Sequence, residues 1–291
     1  MPTELQSIAL GLPEEFVRKN AKYVKLLRGF RLLDDDFMSK VFEDTACAQL
    51  LLNIILERDD LTVREVHGQY TIKNLQGRSV RLDILAIDQY GKRYNIEIQR
   101  RDEGADAHRA RYNSSLLDAN LTEPGDCYTA LGETYVIFIT ERDVLKAGLP
   151  IYHIDRIVQE TGTAFGDGSH IIYVNAQHKN DTPLGKLMHD FCCTSAEDMH
   201  YPVLAERVRY FKENTKGAAA MCREVEKLVM EEKKQSLMEG RAEGRAEGQA
   251  EGTRSAIRAI MEEFSVSLED AMRILKIPEA EKNTYRELLN R

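Results

Sequence analysis

A pair of carboxylates in two neighbouring apolar segments is the feature of this sequence best suited to chemistry. Asp83 interrupts the apolar run in RLDILAI, and Glu97 interrupts YNIEIQ. The residues Gln89, Tyr90 and Gly91 between the two segments predict a three-residue hairpin loop, in which Gly91 supplies the positive φ. Counting back symmetrically from this loop places Asp83 opposite Glu97.

Two opposed carboxylates predict a metal site. Directly opposed side chains on one sheet face have Cβ atoms roughly 4.5–5.5 Å apart, and a glycine bulge shifts such a pairing by one residue. Charges this close repel unless one is protonated or a cation lies between them, and a hard ion such as Mg²⁺ or Mn²⁺ suits an all-oxygen site. An alternative is that ordinary cross-strand ion pairs use Arg81 or Arg93.

The surroundings of Glu97 are also polar. Side chains alternate along a strand, so Asn95, Glu97 and Gln99 share one face of an otherwise apolar segment, a stripe that indicates function. Arg109, Arg111 and Tyr112 follow on a predicted helix, within reach of a nucleic-acid phosphate. The alternative for these three is a solvated basic face with a half-buried tyrosine.

The elements that must position these residues follow from hydrophobic periodicity. Helical spacing predicts a helix over 36–56, with the aspartates at 34–36 as caps, and period-two alternation predicts three antiparallel strands over 62–99. A polar helix over 107–120 and an unbroken apolar strand, TYVIFIT at 134–140, come next. The predicted order is therefore helix, three strands, helix, strand.

Length and composition set limits on the class of protein. The chain has 291 residues, 43% of them apolar, which is enough for one main domain and a smaller tail. Its five cysteines form no CxxC pair and show no zinc-ligand spacing to a histidine, which favours reduced thiols in the cytoplasm. We find no secretion leader and no membrane span, and we expect no nucleotide cofactor because no P-loop or dinucleotide motif occurs. A net charge of −8 requires any contact with nucleic acid to be local or bridged by a cation.

Changes in composition predict four segments. A lead-in over 1–30 precedes a main domain over 31–222, a charged repeat of Gly, Ala, Glu and Arg over 223–253, and a helical module over 254–291 with Ser267 as an N-cap. The repeat places like charges four residues apart, so an isolated helix is unfavourable. It is either a solvated spacer or a helix that forms a homo-oligomer.

The string RLDILAIDQYGKRYNIEIQR, with the helical segment before it, HRARYNSSLLDANL after it and TYVIFIT, resembles the PD-(D/E)xK superfamily. Within that superfamily it resembles the recombination-promoting nuclease/transposase family over roughly residues 30 to 220. The resemblance implies an α/β fold with a restriction-endonuclease-like αβββαβ core and a helical C-terminal extension. It also implies hydrolysis of DNA phosphodiesters with Mg²⁺ or Mn²⁺ bound by Asp83 and Glu97.

The resemblance further implies roles for several neighbours. The Ile98 backbone carbonyl is an additional metal ligand, and Gln99 occupies the place of the superfamily's usual lysine, where it can hold a water but supplies no charge. Arg100 or Arg109 is then a candidate for the missing cation, and Arg100, Arg109, Arg111 and Tyr112 are the candidates for DNA contacts. Asp36 is a candidate acidic ligand from the first helix, alongside Glu43 and Asp44, although Asp36 is equally suited to capping that helix.

These inferences lead to one main hypothesis and two alternatives. The main hypothesis is a metal-dependent DNA endonuclease associated with recombination or mobile elements, which acts as a homo-oligomer in the cytoplasm. The first alternative is a degenerate nuclease fold that binds nucleic acid without cutting it, because Gln99 replaces the lysine. The second is an assembly protein that functions through residues 224–291.

Overall fold

The computed structural model of the chain describes residues 11–74, 77–100, 104–121, 125 and 127–289. Packing divides the chain into two units, Met1–Arg223 and Glu224–Arg291. The first unit contains every described β-strand, and its elements include the predicted order of helix, three strands, helix and strand. The fold class expected from the sequence, a mixed α/β core with a helical C-terminal extension, is confirmed.

Among the described residues, three helices precede the sheet: α1 (Glu14–Gly29), α2 (Asp35–Phe42) and α3 (Thr45–Ile55). The predicted single helix over 36–56 is wrong, because Asp44 ends the first helical segment and starts the second. Its carboxylate accepts hydrogen bonds from the amides of the first turn of α3, at 3.0 and 3.2 Å. The expected lead-in contains α1, which buries one apolar face in the core of the first unit.

A mixed sheet of six strands forms the centre of the first unit, in the order β1-β2-β3-β4-β8-β5. The first three strands are antiparallel, as predicted, and β3, β4 and β8 run parallel, while β5 is antiparallel to β8. A separate two-stranded ribbon pairs β6 with β7. The strands are β1 (Val63–Ile72), β2 (Val80–Asp88), β3 (Arg93–Gln99), β4 (Thr134–Thr140), β5 (Ile151–Ile154), β6 (Ile157–Val158), β7 (Thr163–Ala164) and β8 (Ser169–Asn175).

Helices cover both faces of the sheet. Helix α4 (Ala107–Ala119) packs on one face, through a cluster that includes Leu82, Leu85 and Phe138. The other face carries α1 to α3 together with α5 (Pro183–Cys192) and α6 (Pro202–Glu213), through Ile84, Ile96 and Ile98 among others. Neighbouring residues such as Ile84 and Leu85 therefore enter two different cores, and the alternation in β2 is interrupted between Leu82 and Ile84.

The loop of the β2–β3 hairpin forms as predicted. Asp88 N–H donates to the Lys92 carbonyl at 3.1 Å, and Gly91 has φ of 79°. The buried Asp88 carboxylate accepts from the amides of Tyr90 and Lys92 at 2.8 and 3.0 Å, and from the Tyr94 hydroxyl at 2.9 Å. Local donors thus satisfy the carboxylate at this end of the hairpin.

A buried lysine joins distant parts of the first unit. Lys212 of α6 is 3% exposed and donates to the backbone carbonyls of Arg28, Phe30 and Thr194, at 3.2, 2.5 and 2.6 Å. Burial, followed by the charge of Arg28, lowers the pKa of Lys212 to about 8. The ammonium group satisfies three carbonyls that lie outside regular structure or at a helix end.

The second unit is helical. Helix α7 (Thr215–Phe264) includes the charged repeat, and α8 (Leu268–Ile274) and α9 (Glu279–Leu289) pack with its last turns around Ile257 and Met272. Ser267 caps α8, as predicted, by accepting from the Asp270 amide at 3.2 Å. The helical module predicted over 254–291 contains a further helix, α9, which begins directly after Pro278. No helix among the described residues combines the length and apolarity needed to cross a bilayer.

Candidate active site

Asp83 and Glu97 lie at the open end of the β2–β3 hairpin. The recorded pairing runs from Ile87–Arg93 to Ile84–Ile96, and the same register continued by one position brings Asp83 opposite Glu97. Both residues are on the face covered by α4. Here the Ile98 amide donates to Asp83 Oδ2 at 2.9 Å, so a carboxylate takes the place of a backbone acceptor.

The Glu97 carboxylate is completely buried, with 0% exposure. Its Oε2 accepts from Arg109 Nη2 of α4 at 2.8 Å. Its Oε1 has no hydrogen-bond partner among the described residues. Burial and then the negative charge of Asp83 raise the pKa of Glu97, and Arg109 only partly opposes them.

Asp83 is similarly placed. Burial is the main cause that raises the pKa of Asp83, and the charges of Asp35 and Asp36 on α2 add to it. The hydrogen bond from the Ile98 amide and the charge of Arg109 act in the opposite direction. The two carboxylates therefore lie close together, and both have raised pKa values. A divalent cation bound between them would neutralise their negative charge.

The Ile98 carbonyl faces the same side as these carboxylates. In a strand, the N–H and C=O of one residue point to the same neighbour, and the Ile98 amide points to Asp83. The next carbonyl, that of Gln99, bonds the Glu141 amide on the opposite side, at 3.1 Å. This alternation places the Ile98 carbonyl beside Asp83, where it is available as a further oxygen donor.

Helix α2 brings Asp36 towards the pair. The Ser39 hydroxyl donates to the Asp83 carbonyl at 3.4 Å, and Gln69 Nε2 donates to Asp36 Oδ1 at 3.2 Å. Continued register in the β1–β2 pair sets Gln69 opposite Asp83. Gln69 has φ of 51°, a left-handed conformation that is uncommon for a residue with a side chain. The strained backbone thus presents an amide group to the acid of α2.

The other first-helix candidates have different roles. Glu43 forms an ion pair with Lys40 at 2.7 Å. Asp44 caps α3 through both amides described above. Among the three acids considered from the sequence, Asp36 is the one whose charge contributes to the environment of Asp83.

Gln99, Gly104 and Arg109 form a small cluster beside Glu97. A methyl group on Gly104 would overlap the amide oxygen of Gln99, so a larger residue here would displace the Gln99 side chain. Arg109 Nη1 donates to the Gly104 carbonyl at 2.9 Å while Nη2 holds Glu97. A single guanidinium therefore links the buried carboxylate to the segment that packs on Gln99.

The structure separates the two candidates for the missing cation. Arg100 forms ion pairs with Asp34 at 2.8 Å and with Glu141 at 3.2 Å. Arg109 bonds Glu97 directly. Neither Arg81 nor Arg93 forms a described ion pair with the two carboxylates, so in the part of the chain that the structure covers the basic partner comes from α4 and not from a neighbouring strand.

A basic groove adjoins the carboxylate pair. It is bounded by α4 and the first residues of β2, and Arg109 lines it while also bonding Glu97. Arg111 and Tyr112 line this groove as well, and the Tyr112 hydroxyl is fixed by donating to the Arg78 carbonyl at 2.5 Å. The remaining basic lining residues, which sequence reasoning did not select for binding, are Arg78, Arg81 and His108.

Three residues near the site, Gln69, Arg78 and Arg81, were not predicted from the sequence. Gln69 gives no signal in a single sequence, because its left-handed backbone and its position opposite Asp83 appear only in the folded sheet. Arg78 and Arg81 flank the start of a strand, where basic residues are ordinary. Arg81 lines the groove although its neighbour Leu82 packs in the cluster under α4, so simple alternation along β2 does not reveal the position of Arg81.

The donor set fits a divalent cation. The Oε1 atom of Glu97 is buried without a described partner, Asp83 lies opposite it, and the Ile98 carbonyl faces the same space. All three donors are oxygens, which hard ions such as Mg²⁺ prefer. Arg109 reduces the net negative charge but leaves one carboxylate oxygen of Glu97 available.

Comparison with known proteins agrees with this geometry. A family model described as PD-(D/E)XK nuclease family transposase matches residues 38–186, about half of the chain. The matched segment includes Asp83, Glu97 and the groove-lining part of α4. No curated protein and no solved structure matches the chain. The chain belongs to the PD-(D/E)XK nuclease family transposases.

Proposed function

We propose that this chain is a metal-dependent endonuclease that hydrolyses phosphodiester bonds of DNA. The observation that carries the proposal is the opposed pair of Asp83 and Glu97, in which a completely buried carboxylate keeps one oxygen without a described partner. A fold that needed the pair only for stability would gain from a neutral residue at either place. The family is one of nucleases, and divalent ions are typical of it.

Asp83, Glu97 and the Ile98 carbonyl would hold Mg²⁺ or Mn²⁺. Asp36 of α2 would be an additional acidic ligand. A bound ion supplies charge neutralisation at the phosphate and lowers the pKa of a coordinated water. The chain contributes position. Arg109 keeps Glu97 oriented from the side opposite its free oxygen, and the Gln99 amide, held against Gly104, can orient a water by hydrogen bonding.

The basic groove is the proposed path of the DNA backbone. Arg78, Arg81 and Arg111 line it beside the carboxylate pair, so phosphates bound there would lie next to the site. Since the chain carries a net charge of −8, such contacts must be local. Arg100 is less suited to phosphate binding because Asp34 and Glu141 occupy its guanidinium. Homo-oligomerisation, a cytoplasmic location and a role in recombination stay predictions.

Cleavage of supercoiled plasmid tests the proposal. Purified wild type, Asp83→Ala and Glu97→Ala are incubated with Mg²⁺, Mn²⁺ or no divalent ion, and circular dichroism verifies that each variant is folded. We expect cleavage by the wild type alone and only with metal. Equal cleavage by all three proteins would contradict the assigned site, and no cleavage by any would contradict the activity.

A second candidate function is binding of nucleic acid without cleavage. Arg109 already bonds Glu97 and Gln99 supplies no charge, an arrangement that reduces the demand for a metal. Binding of duplex DNA is measured by fluorescence anisotropy with EDTA and with Mg²⁺. Unchanged affinity in both, combined with no cleavage under any divalent ion, would favour this second function over the first.

A further inference from the structure

A second group of metal-binding side chains lies at the end of α5, outside the carboxylate site. His189, Asp190 and Cys193 each offer one ligand atom, and these atoms lie within 4.8 Å of one another. Two of the separations are 3.4 Å, from His189 Nδ1 to Asp190 Oδ1, and 3.5 Å, from His189 Nδ1 to Cys193 Sγ. The cluster is outside the segment 38–186 that matches the nuclease family.

These separations suit a tetrahedral zinc ion. Zinc binds nitrogen and oxygen at about 2.0–2.2 Å and sulfur at about 2.3 Å, so neighbouring ligands of a tetrahedral site lie roughly 3.3–3.6 Å apart. Both separations fall in this interval. The mixture of imidazole, carboxylate and thiolate is also one that zinc accepts, whereas Mg²⁺ prefers oxygen alone.

A buried carboxylate, Asp190, orders the segment next to this cluster. Asp190 is 0% exposed, and its described ion pair is with His189 alone, a residue that need not be charged. The backbone amides of His200 and Tyr201 donate to the two Asp190 oxygens at 2.8 and 2.9 Å.

The site is also reachable. The His189 side chain is 38% exposed and Cys193 is half-buried, so an ion can enter without unfolding. The ring centroid of His200 lies 4.6 Å from that of His189, so the His200 imidazole is a candidate for a fourth ligand. From the sequence we assigned no zinc spacing to the cysteines, although His189 and Cys193 are four residues apart, at the end of α5 and directly after it.

We propose that His189, Asp190 and Cys193 bind a zinc ion that fastens the end of α5 to the segment before α6. Asp190 already holds that segment through two amides, and the ion would fix Asp190 in turn. The proposed role is structural and independent of DNA cleavage. It predicts that the full chain binds one zinc equivalent that survives loss of the carboxylate pair.

Cobalt substitution tests the proposal, because thiolate bound to Co²⁺ gives a near-ultraviolet charge-transfer band that an all-oxygen site does not. The full chain with Asp83→Ala and Glu97→Ala is stripped with chelator and titrated with Co²⁺. We expect a band that saturates at one equivalent and disappears when Zn²⁺ is added. Cys193→Ser should lose the band and weaken Zn²⁺ binding by at least about 100-fold, whereas the matched control Cys192→Ser should keep both.

His189→Gln provides an independent variant should Cys193→Ser fail to fold. It should also weaken Zn²⁺ binding at least about 100-fold, and zinc should raise the melting temperature of the parent chain but not of this variant. Absence of the band in the parent chain would overturn the proposal. Retention of the band in the folded Cys193→Ser chain, or its loss in Cys192→Ser alone, would overturn it as well.

Discussion

The two ends of the β2–β3 hairpin carry buried carboxylates that differ in their hydrogen-bond partners. At the loop, Asp88 accepts three hydrogen bonds from residues no more than six positions away. At the open end, Glu97 has one bonded oxygen and one without a described partner, and it faces Asp83. Burial is similar, 3% exposure for Asp88 and 0% for Glu97, so burial alone does not distinguish structure from function.

The difference lies in which partners complete each carboxylate. Asp88 is completed by the hairpin itself and contributes to the turn. Glu97 is completed by an arginine from a separate helix and, on our proposal, by a metal ion. Substituting the carboxylate at each end and comparing the effects on cleavage and on stability is therefore the most direct way to test the assignment.

Glu97→Gln should reduce metal-dependent plasmid cleavage by about 1000-fold or more, because it removes a proposed ligand without changing shape. The matched variant Asp88→Asn, at the other end of the same hairpin, should retain cleavage within a few-fold when folded. Single-turnover rates with Mg²⁺ measure both. Comparable losses in the two variants would mean that the open end has no special role.

Asp88→Ala should lower the free energy of unfolding by roughly 2–4 kcal/mol, because it removes three hydrogen bonds and leaves the Tyr94 hydroxyl buried without this acceptor. Urea denaturation followed by circular dichroism measures the change. The exposed Asp59 serves as the control, and Asp59→Ala should change stability by less than about 0.5 kcal/mol. An Asp88→Ala protein as stable as the wild type would contradict the structural role of Asp88 in the hairpin.

Arg109→Gln should slow cleavage by roughly 10- to 100-fold, the equivalent of one lost charge-assisted hydrogen bond to Glu97. Arg100→Gln should have little effect on the rate, because Arg100 pairs with Asp34 and Glu141. Rates are compared at saturating DNA so that altered binding does not mask the chemical step. Faster cleavage by Arg109→Gln would show that this arginine competes with the metal.

The raised pKa of Asp83 gives a pH-dependent stability with a defined sign. Because the pKa of Asp83 is higher in the folded chain, the folded state binds more protons, and metal-free stability falls as pH rises through that pKa. Asp83→Asn removes this titration, so its melting temperature in EDTA should exceed that of the wild type increasingly from pH 4 to pH 8, by about 2–4 °C for each kcal/mol. A difference in melting temperature that stays constant with pH would contradict the buried carboxylate pair. Saturating Mg²⁺ should raise the melting temperature of the wild type but not that of Asp83→Asn.

Local rules of strand geometry were sufficient to predict the hairpin. Gly91 fixed the loop, and alternation fixed which residues of β2 and β3 share a face, so the opposition of Asp83 and Glu97 could be counted from the sequence. The element order and the apolar strand β4 were equally accessible, because each has a clear periodicity.

Contacts between separate elements could not be predicted in this way. The choice of Arg109 over Arg100 depends on how α4 lies on the sheet, and the proximity of Asp36 depends on the break at Asp44 that separates α2 from α3. Both contacts depend on tertiary packing, which the hydrophobic periodicity of a single sequence does not show. The hydrogen bonds from His200 and Tyr201 to Asp190 likewise depend on the turn after α5, which returns the chain to that residue.

The three hydrogen bonds of Lys212 also bear on where the first unit can be cut. The family match ends at residue 186, yet Lys212 holds carbonyls before and after α5, including those of Arg28 and Phe30 at the end of α1. A fragment trimmed to the limits of the match would lose this ammonium group and all of α1 and α6. The length of chain that must fold together is thus set by a buried charge and is greater than the length that family resemblance detects.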